Sequence, residues 1–159
     1  MKVLNIHTRQ IAAPKASVLD ALSTLATQND KVWPKEKWPK MKLSKGLAVG
    51  SRGGHGPIRY FIKEYDPQHL VVFEFQKPKG FHGIHQFEIK EINPNQTQVT
   101  HTIDMQTSRV GTLQWIVAVR SLHDALIEDA FDKMENLLTQ TNKESTWSMW
   151  VQILRGVLR

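Results

Sequence analysis

The strongest constraint on how this chain can fold is a change of period near residue 110. Before it, four runs alternate in the two-residue rhythm of a strand: Ile58–Tyr65, Leu70–Gln76, His82–Ile92 and Thr97–Gln106. They are separated by Asp66-Pro67-Gln68, Lys77-Pro78-Lys79-Gly80 and Asn93-Pro94-Asn95, short breaks that suit tight turns. After it, Ile116, Val119, His123, Leu126, Ile127, Ala130, Met134, Leu137 and Leu138 recur at helical spacing over about 25 residues. An antiparallel meander followed by one long amphipathic helix leaves a sheet face bare unless the sheet curves around that helix.

The rest of the chain supplies smaller pieces. Residues 2–11 read as a strand, with Leu4, Ile6 and Thr8 alternating with Asn5, His7 and Arg9. Pro14 suits the first turn of a helix over about 15–27, whose apolar positions are Val18, Leu19, Leu22 and Leu25. Pro34 and Pro39 forbid a continuous helix through 28–46, and 41–43 is a candidate short strand. The glycine-rich segment 46–56 is expected to be a loop or bulged hairpin. The acidic residues of the long helix, Asp124, Glu128, Asp129, Asp132 and Glu135, fall on the other side from its apolar stripe.

Alternation orients the last two strands. His85, Phe87 and Ile89 share one face, and Val99, His101, Ile103 and Met105 share one face of the next. Both sets must lie on the core side, with odd residues opposite odd, for instance Ile89 with His101 or Phe87 with Ile103. Two histidines therefore point inward. On the helix, counting about 100° per residue from Ile116 puts His123 near −20° and Arg120 near +40°. Both fall on the apolar stripe. A cation there requires a carboxylate, a ligand or an outlet to water, and Asp124, four residues on, is one such partner.

Several chemistries find no support. There is no cysteine, which removes disulfides, thiolate sites and cysteine nucleophiles. Among seven histidines, His82 and His85 lie on opposite faces of a strand, and no His-Glu-x-x-His pattern occurs, so no metal and no cofactor is expected. The glycines of 50–56 are not followed by Gly-Lys-Ser/Thr, and a Gly-x-Ser-x-Gly elbow is absent.

The net charge of +6 is local. The segment from Lys31 to Lys45 carries +5 and the tail from Lys143 to Arg159 carries +2, which leaves the remainder at −1. That argues against a broad nucleic-acid surface and directs attention to two tryptophan-bearing segments. Trp33 and Trp38 are expected to anchor an irregular loop over a pocket mouth while the lysines solvate it. The alternative is contact with an anionic membrane. In the tail, Trp147, Trp150, Val151, Leu154, Val157 and Leu158 form a short amphipathic pattern that could lie on a membrane, fold back, or mediate a homodimer. No run is apolar enough to span a membrane and no secretory signal is visible, so the expected location is cytoplasmic, with peripheral membrane contact as a variant.

The ordered set Ile11-Ala12-Ala13-Pro14, 54–60 (GHGPIRY), Tyr65-Asp66-Pro67, 83–89 (GIHQFEI), Thr100-His101-Thr102 and 122–129 (LHDALIED) resembles the START/Bet v 1-like (SRPBCC) superfamily, in particular its polyketide cyclase/dehydrase-like branch. The resemblance covers about residues 1–140, a helix-grip domain, with 141–159 as an amphipathic tail. It implies an α+β fold and a cavity for a hydrophobic small molecule between sheet and long helix. Arg120, His123, His85, His101, Phe87, Ile103, Met105, Ile116, Val119 and Ile127 are the expected lining residues. With Arg120 among them, the expected ligand has a polar or anionic head. The resemblance also admits a cyclase, aromatase or dehydratase acting on a polyketide-like substrate, and a third reading is a peripheral membrane protein.

Overall fold

The computed structural model describes residues 1–157; Leu158 and Arg159, the last positions of the tail pattern, lie outside the described residues. Seven strands form one antiparallel sheet in the order β1-β7-β6-β5-β4-β3-β2. They are β1 (Lys2–Ile11), β2 (Lys42–Leu43), β3 (Arg52–His55), β4 (Ile58–Asp66), β5 (Leu70–Lys77), β6 (Phe81–Asn93) and β7 (Gln96–Thr107). The four-strand meander is present, and the glycine-rich segment contributes β3 to it. Register breaks between β4 and β5 bend the sheet, as bulges do. In β6, Gly83 has φ 151°, and a Cβ there would stand 2.3 Å from the Asp104 carbonyl oxygen, so only glycine lets β6 pass this close to β7.

Helix α1 (Lys15–Ser23) is shorter than its apolar spacing implies. The buried Asp30 carboxylate accepts from the backbone N–H groups of Ala26, Val32 and Trp33 and pulls the chain into a turn. After β7 the chain forms α2 (Val110–Gln114), a π-helical turn (Trp115–Val119) and α3 (Arg120–Thr139), on which the sheet closes. The last helix, α4, is Met149–Val157. No helix among the described residues is long and apolar enough to cross a membrane.

The pairing of β6 with β7 keeps the expected parity but not the expected partners: Phe87 lies opposite His101, Ile89 opposite Val99 and His85 opposite Ile103. The alternation alone is satisfied by any shift of two residues, and the turn at 93–96 chooses among them.

Two facings run against hydropathy. In β1 the apolar Leu4 and Ile6 are 60% and 55% exposed, and Asn5, His7 and Arg9 look toward α3. The acidic side of α3 is not wholly in solvent either: Asp129, Asp132 and Glu135 are buried. The two departures explain each other. Arg9 donates to Glu128 (2.9 Å), Asp132 (2.9 Å) and Glu135 (2.6 Å), and His7 reaches Glu128 (2.7 Å) and Asp124 (3.1 Å). A polar strand face and a polar helix side thus satisfy one another in a seam, a solution that hydropathy counted one element at a time does not contain.

The basic loop and the tail are both fastened to α3. Asp129 accepts from the indole N–H of Trp38 (2.7 Å), the indole N–H of Trp147 (2.8 Å) and Lys37 Nζ (3.2 Å). Trp33 and Trp38 are buried, and Trp38 packs against Trp147 at 5.2 Å between ring centroids. In α4, Val151 is buried, Trp150 donates to the Val117 carbonyl, and Arg155 lies over the Trp38 ring and donates to the Lys37 carbonyl.

Candidate ligand cavity

Between sheet and α3 lies a cavity of about 350 Å³. The strands contribute Phe75, Phe81, His85, Phe87, His101 and Ile103, and the helical side contributes Trp115, Val119, Leu122, His123, Leu126 and Ile127. Trp33, Trp38, Pro39 and Met41 from the loop, His55, Pro57 and Ile58 from the β3–β4 hairpin, and Arg155 from α4 complete the wall. The space separates two apolar clusters. The smaller, Val3, Phe81, Ile103, Met105 and Trp115, closes one side, and the larger includes Trp33, Trp38, Phe87, Leu126 and Ile127.

Of the residues expected at the site, His85, His101, His123, Phe87, Ile103, Val119 and Ile127 are on the wall. Three are not. Met105 is buried in the smaller cluster behind the cavity, in contact with the N-terminal strand's side of the sheet. Ile116 is 58% exposed. The π turn takes in an extra residue per turn, so a count of 100° per residue fails across it, and Trp115 points inward in place of Ile116. Without Ile116 as reference, the cavity-facing stripe runs through Val119, Leu122, His123, Leu126 and Ile127. Arg120 lies on its flank, 65% exposed, with Nε 3.9 Å from Asp124 Oδ2. The cation on the wall is Arg155 instead, which the tail's amphipathic pattern carried without marking it as inward. Trp115 and His55 had no sequence signal, since one sits in an irregular helical turn and the other in a glycine-rich hairpin.

Four imidazoles line this apolar space. His85 stacks on Phe73 (4.7 Å, 12° between planes) and meets Tyr60 edge-on (4.8 Å). His101 packs edge-on against Phe87 (4.6 Å) and lies 5.0 Å from His123 and 5.6 Å from His85. His55 Nδ1 is 3.1 Å from the Tyr60 hydroxyl. Burial pushes His85 and His101 well below the ordinary histidine range and His55 down to about 3; it lowers His123 too, against the pull of Asp124. All four are neutral at physiological pH. Among the described residues, His85 Nε2, His101 Nδ1 and His123 Nε2 are buried with no hydrogen-bond partner.

The back of His123 is different. Its Nδ1 lies 3.4 Å from Asp124 Oδ1, which also accepts from His7 Nε2 (3.1 Å) and Asn5 Nδ2 (3.0 Å). Burial works against the Asp124 charge, but these bonds win and hold its carboxyl well below the usual range. His7 is raised, chiefly by its bond to Asp124. One ligand atom each from His7, His123 and Asp124 fall within 4.8 Å of one another, close enough to share a cation. The donor set is nevertheless wrong for a metal. Both His7 nitrogens face carboxylates, which only accept, so both carry protons and neither has a lone pair to give.

No family model and no curated protein matches the sequence. Solved structures do share its fold. Norcoclaurine synthase from Thalictrum flavum, in complex with dopamine and hydroxybenzaldehyde, superposes with a TM-score of 0.67 at 12% identity, covering 91% of this chain and 90% of that one. A solution structure from Thermobifida fusca gives 0.65 at 12% identity over 90% and 99%. CalU16 from Micromonospora echinospora gives 0.61 at 14% identity over 99% and 92%. The curved antiparallel sheet closed on a long helix, together with these neighbours, shows that this chain has the helix-grip fold of Bet v 1-like proteins.

Proposed function

We propose that the protein binds an apolar, ring-bearing small molecule whose polar group is a neutral phenol or carbonyl. One observation carries this reading: three buried imidazole nitrogens without partners, on histidines that line an otherwise apolar cavity. Buried polar groups are nearly always satisfied, and the cavity is of a size that takes small ligands. Neutral imidazoles each offer one donor and one acceptor, which suits a hydroxyl or a carbonyl better than a carboxylate. With Arg120 outside, the counter-charge expected for an anionic head is not on the long helix, and the cation on the wall, Arg155, lies over Trp38 and bonds the Lys37 carbonyl at the tail side. A fold neighbour holding a phenol and an aldehyde supports the same chemistry.

The test compares naphthol with naphthalene by tryptophan fluorescence quenching. Naphthol is expected to bind about tenfold more tightly, the worth of one or two hydrogen bonds, and His101→Phe or His85→Phe is expected to shrink the difference. Equal affinities for the two probes would remove the polar half of the proposal, and no binding of either would remove all of it. Native mass spectrometry of protein from its own host would then identify the resident molecule.

A peripheral membrane role is a second reading, favoured by one surface. Val110, Leu113, Ile116 and Val117 on α2 and the π turn, and Trp150 and Ile153 on α4, are all exposed, and the Trp150–Val117 bond ties the two helices together. Residues 108–123 and 145–157 hold Arg109, Arg120 and Arg155 and no carboxylate. An apolar lip with tryptophan and positive charge suits an anionic bilayer. The basic loop, by contrast, has Lys37 turned inward to Asp129 and Glu144. Co-sedimentation with phosphatidylserine vesicles is expected and should be abolished by Leu113→Glu with Trp150→Glu. Retention of vesicle binding by that variant would sink the reading.

A further inference from the structure

His123 differs from the other cavity histidines in having a carboxylate behind it. Since Asp124 Oδ1 can only accept, the proton of neutral His123 sits on Nδ1, and the lone pair of Nε2 is on the buried side without a partner. A base held in one tautomer by a carboxylate, with its other nitrogen buried and unpartnered on a residue that lines an apolar cavity, is the arrangement from which proton abstraction is driven. Facing it, 5.0 Å away between ring centroids, is neutral His101, with His85 beyond. A neutral imidazole can donate to a carbonyl oxygen and stabilise the charge that develops there.

We propose that His123 is a general base in this cavity and that His101, aided by His85, is the hydrogen-bond donor to a carbonyl, so that the protein isomerises aryl ketones through their enolates. The proposal rests on the binding reading above. His123 Nε2 takes a proton from the carbon beside the carbonyl; the C–H pair becomes a C=C bond and the carbonyl π pair moves to oxygen. The enolate oxygen accepts from the His101 N–H. The new imidazolium stands beside the Asp124 carboxylate. Where the substrate has a β,γ double bond, Nε2–H returns the proton at the γ carbon, which yields the conjugated ketone and restores the base. Atoms and electrons balance, and no oxidant, reductant or cofactor enters.

The groups that set the basicity of His123 come from each side of it. Asp124 on its own helix favours the imidazolium; the His7 imidazolium on β1 opposes it. Asn5 Nδ2 on β1 donates to Asp124, and Arg120 on α3 has its Nε 3.9 Å from the same carboxylate. His101 on β7 and His55 on β3 are neutral, and Trp115 in the π turn is 6.3 Å away between ring centroids. Asp124 is therefore a positioning residue, and His123 the catalytic one.

The experiment follows conversion of phenyl allyl ketone to phenyl propenyl ketone by ultraviolet absorption, with naphthol binding measured in the same preparations. Conversion faster than in buffer is expected, falling about a hundredfold in His123→Gln. Asp124→Asn keeps the shape and removes the charge that favours imidazolium, so the acid limb of its pH–rate profile should move to lower pH. That shift keeps the proposal testable even if His123→Gln proves poorly folded. If wild-type protein binds naphthol yet converts the ketone no faster than buffer, the isomerase proposal falls and the binding reading stands. If naphthol does not bind, both fall. An Asp124→Asn profile with an unmoved acid limb removes the His123–Asp124 assignment.

Discussion

Acidification from neutral pH toward about pH 4.5 is expected to destabilise the protein steeply, ahead of ordinary carboxylate protonation. The four cavity histidines, His55, His85, His101 and His123, all have folded-state values lowered by burial. In the unfolded chain each takes a proton near pH 6.5. Between that value and the folded one, the unfolded state binds more protons, so stability falls as pH falls. Each histidine contributes a slope of up to about 1.4 kcal/mol per pH unit, and the four together up to about 5. His7 runs the other way. Its folded value is raised, so its stabilisation is complete below about 6.5 and is lost as pH rises through the folded value. Urea midpoints measured across this window should drop sharply, and His101→Phe should reduce the slope by about one proton's worth. A slope unchanged in that variant would contradict the neutral, buried state of His101.

Replacing Arg9 with methionine is expected to destabilise the fold by about 3 kcal/mol, because it strips a cation from carboxylates that are already out of water. Asp132 and Glu135 side chains are 9% and 8% exposed, and the Arg9 guanidinium bonds both as well as Glu128. Lys143 would still hold Glu135 and the Ser145 N–H would still hold Asp132, which limits the loss. Adding Asp132→Leu and Glu135→Met to the same chain should recover most of it, since a matched apolar seam needs no desolvated charge. Equilibrium denaturation of the single and triple variants decides the matter. A single variant as stable as wild type would mean that the seam is solvated and contributes nothing.

The fold was legible because its largest elements obey one period each: four alternating strands and a helix long enough to show its stripe. The inward direction of His85 and His101 followed from parity, which survives any even slip of register. What escaped had two physical origins. One is mutual satisfaction. Asn5, His7 and Arg9 look like a solvent face until Glu128, Asp132 and Glu135 are brought opposite them, and the sequence separates those partners by more than a hundred residues. The other is irregular backbone. Trp115 and Ile116 exchange roles because of the π turn, and Arg120 was assigned to the cavity by an angular count that ran through it. Trp33 and Trp38, taken as anchors of a loop over the pocket, are also part of its wall, Trp33 held by the Pro39 carbonyl and Trp38 by Asp129.

A π turn is what a helix becomes when it absorbs one residue without moving its ends. Here it lies between the short and largely exposed α2 and a stretch locked to β1 by charge. The two are therefore out of phase with each other by one residue's rotation, and the upstream part can be re-indexed without disturbing the downstream part. Loss of a single residue from 115–119 would turn α2 by about a quarter of a circle and present a different side chain to the cavity in place of Trp115. A chain shorter by one residue at this place would then differ in its cavity wall while keeping the same seam and the same sheet.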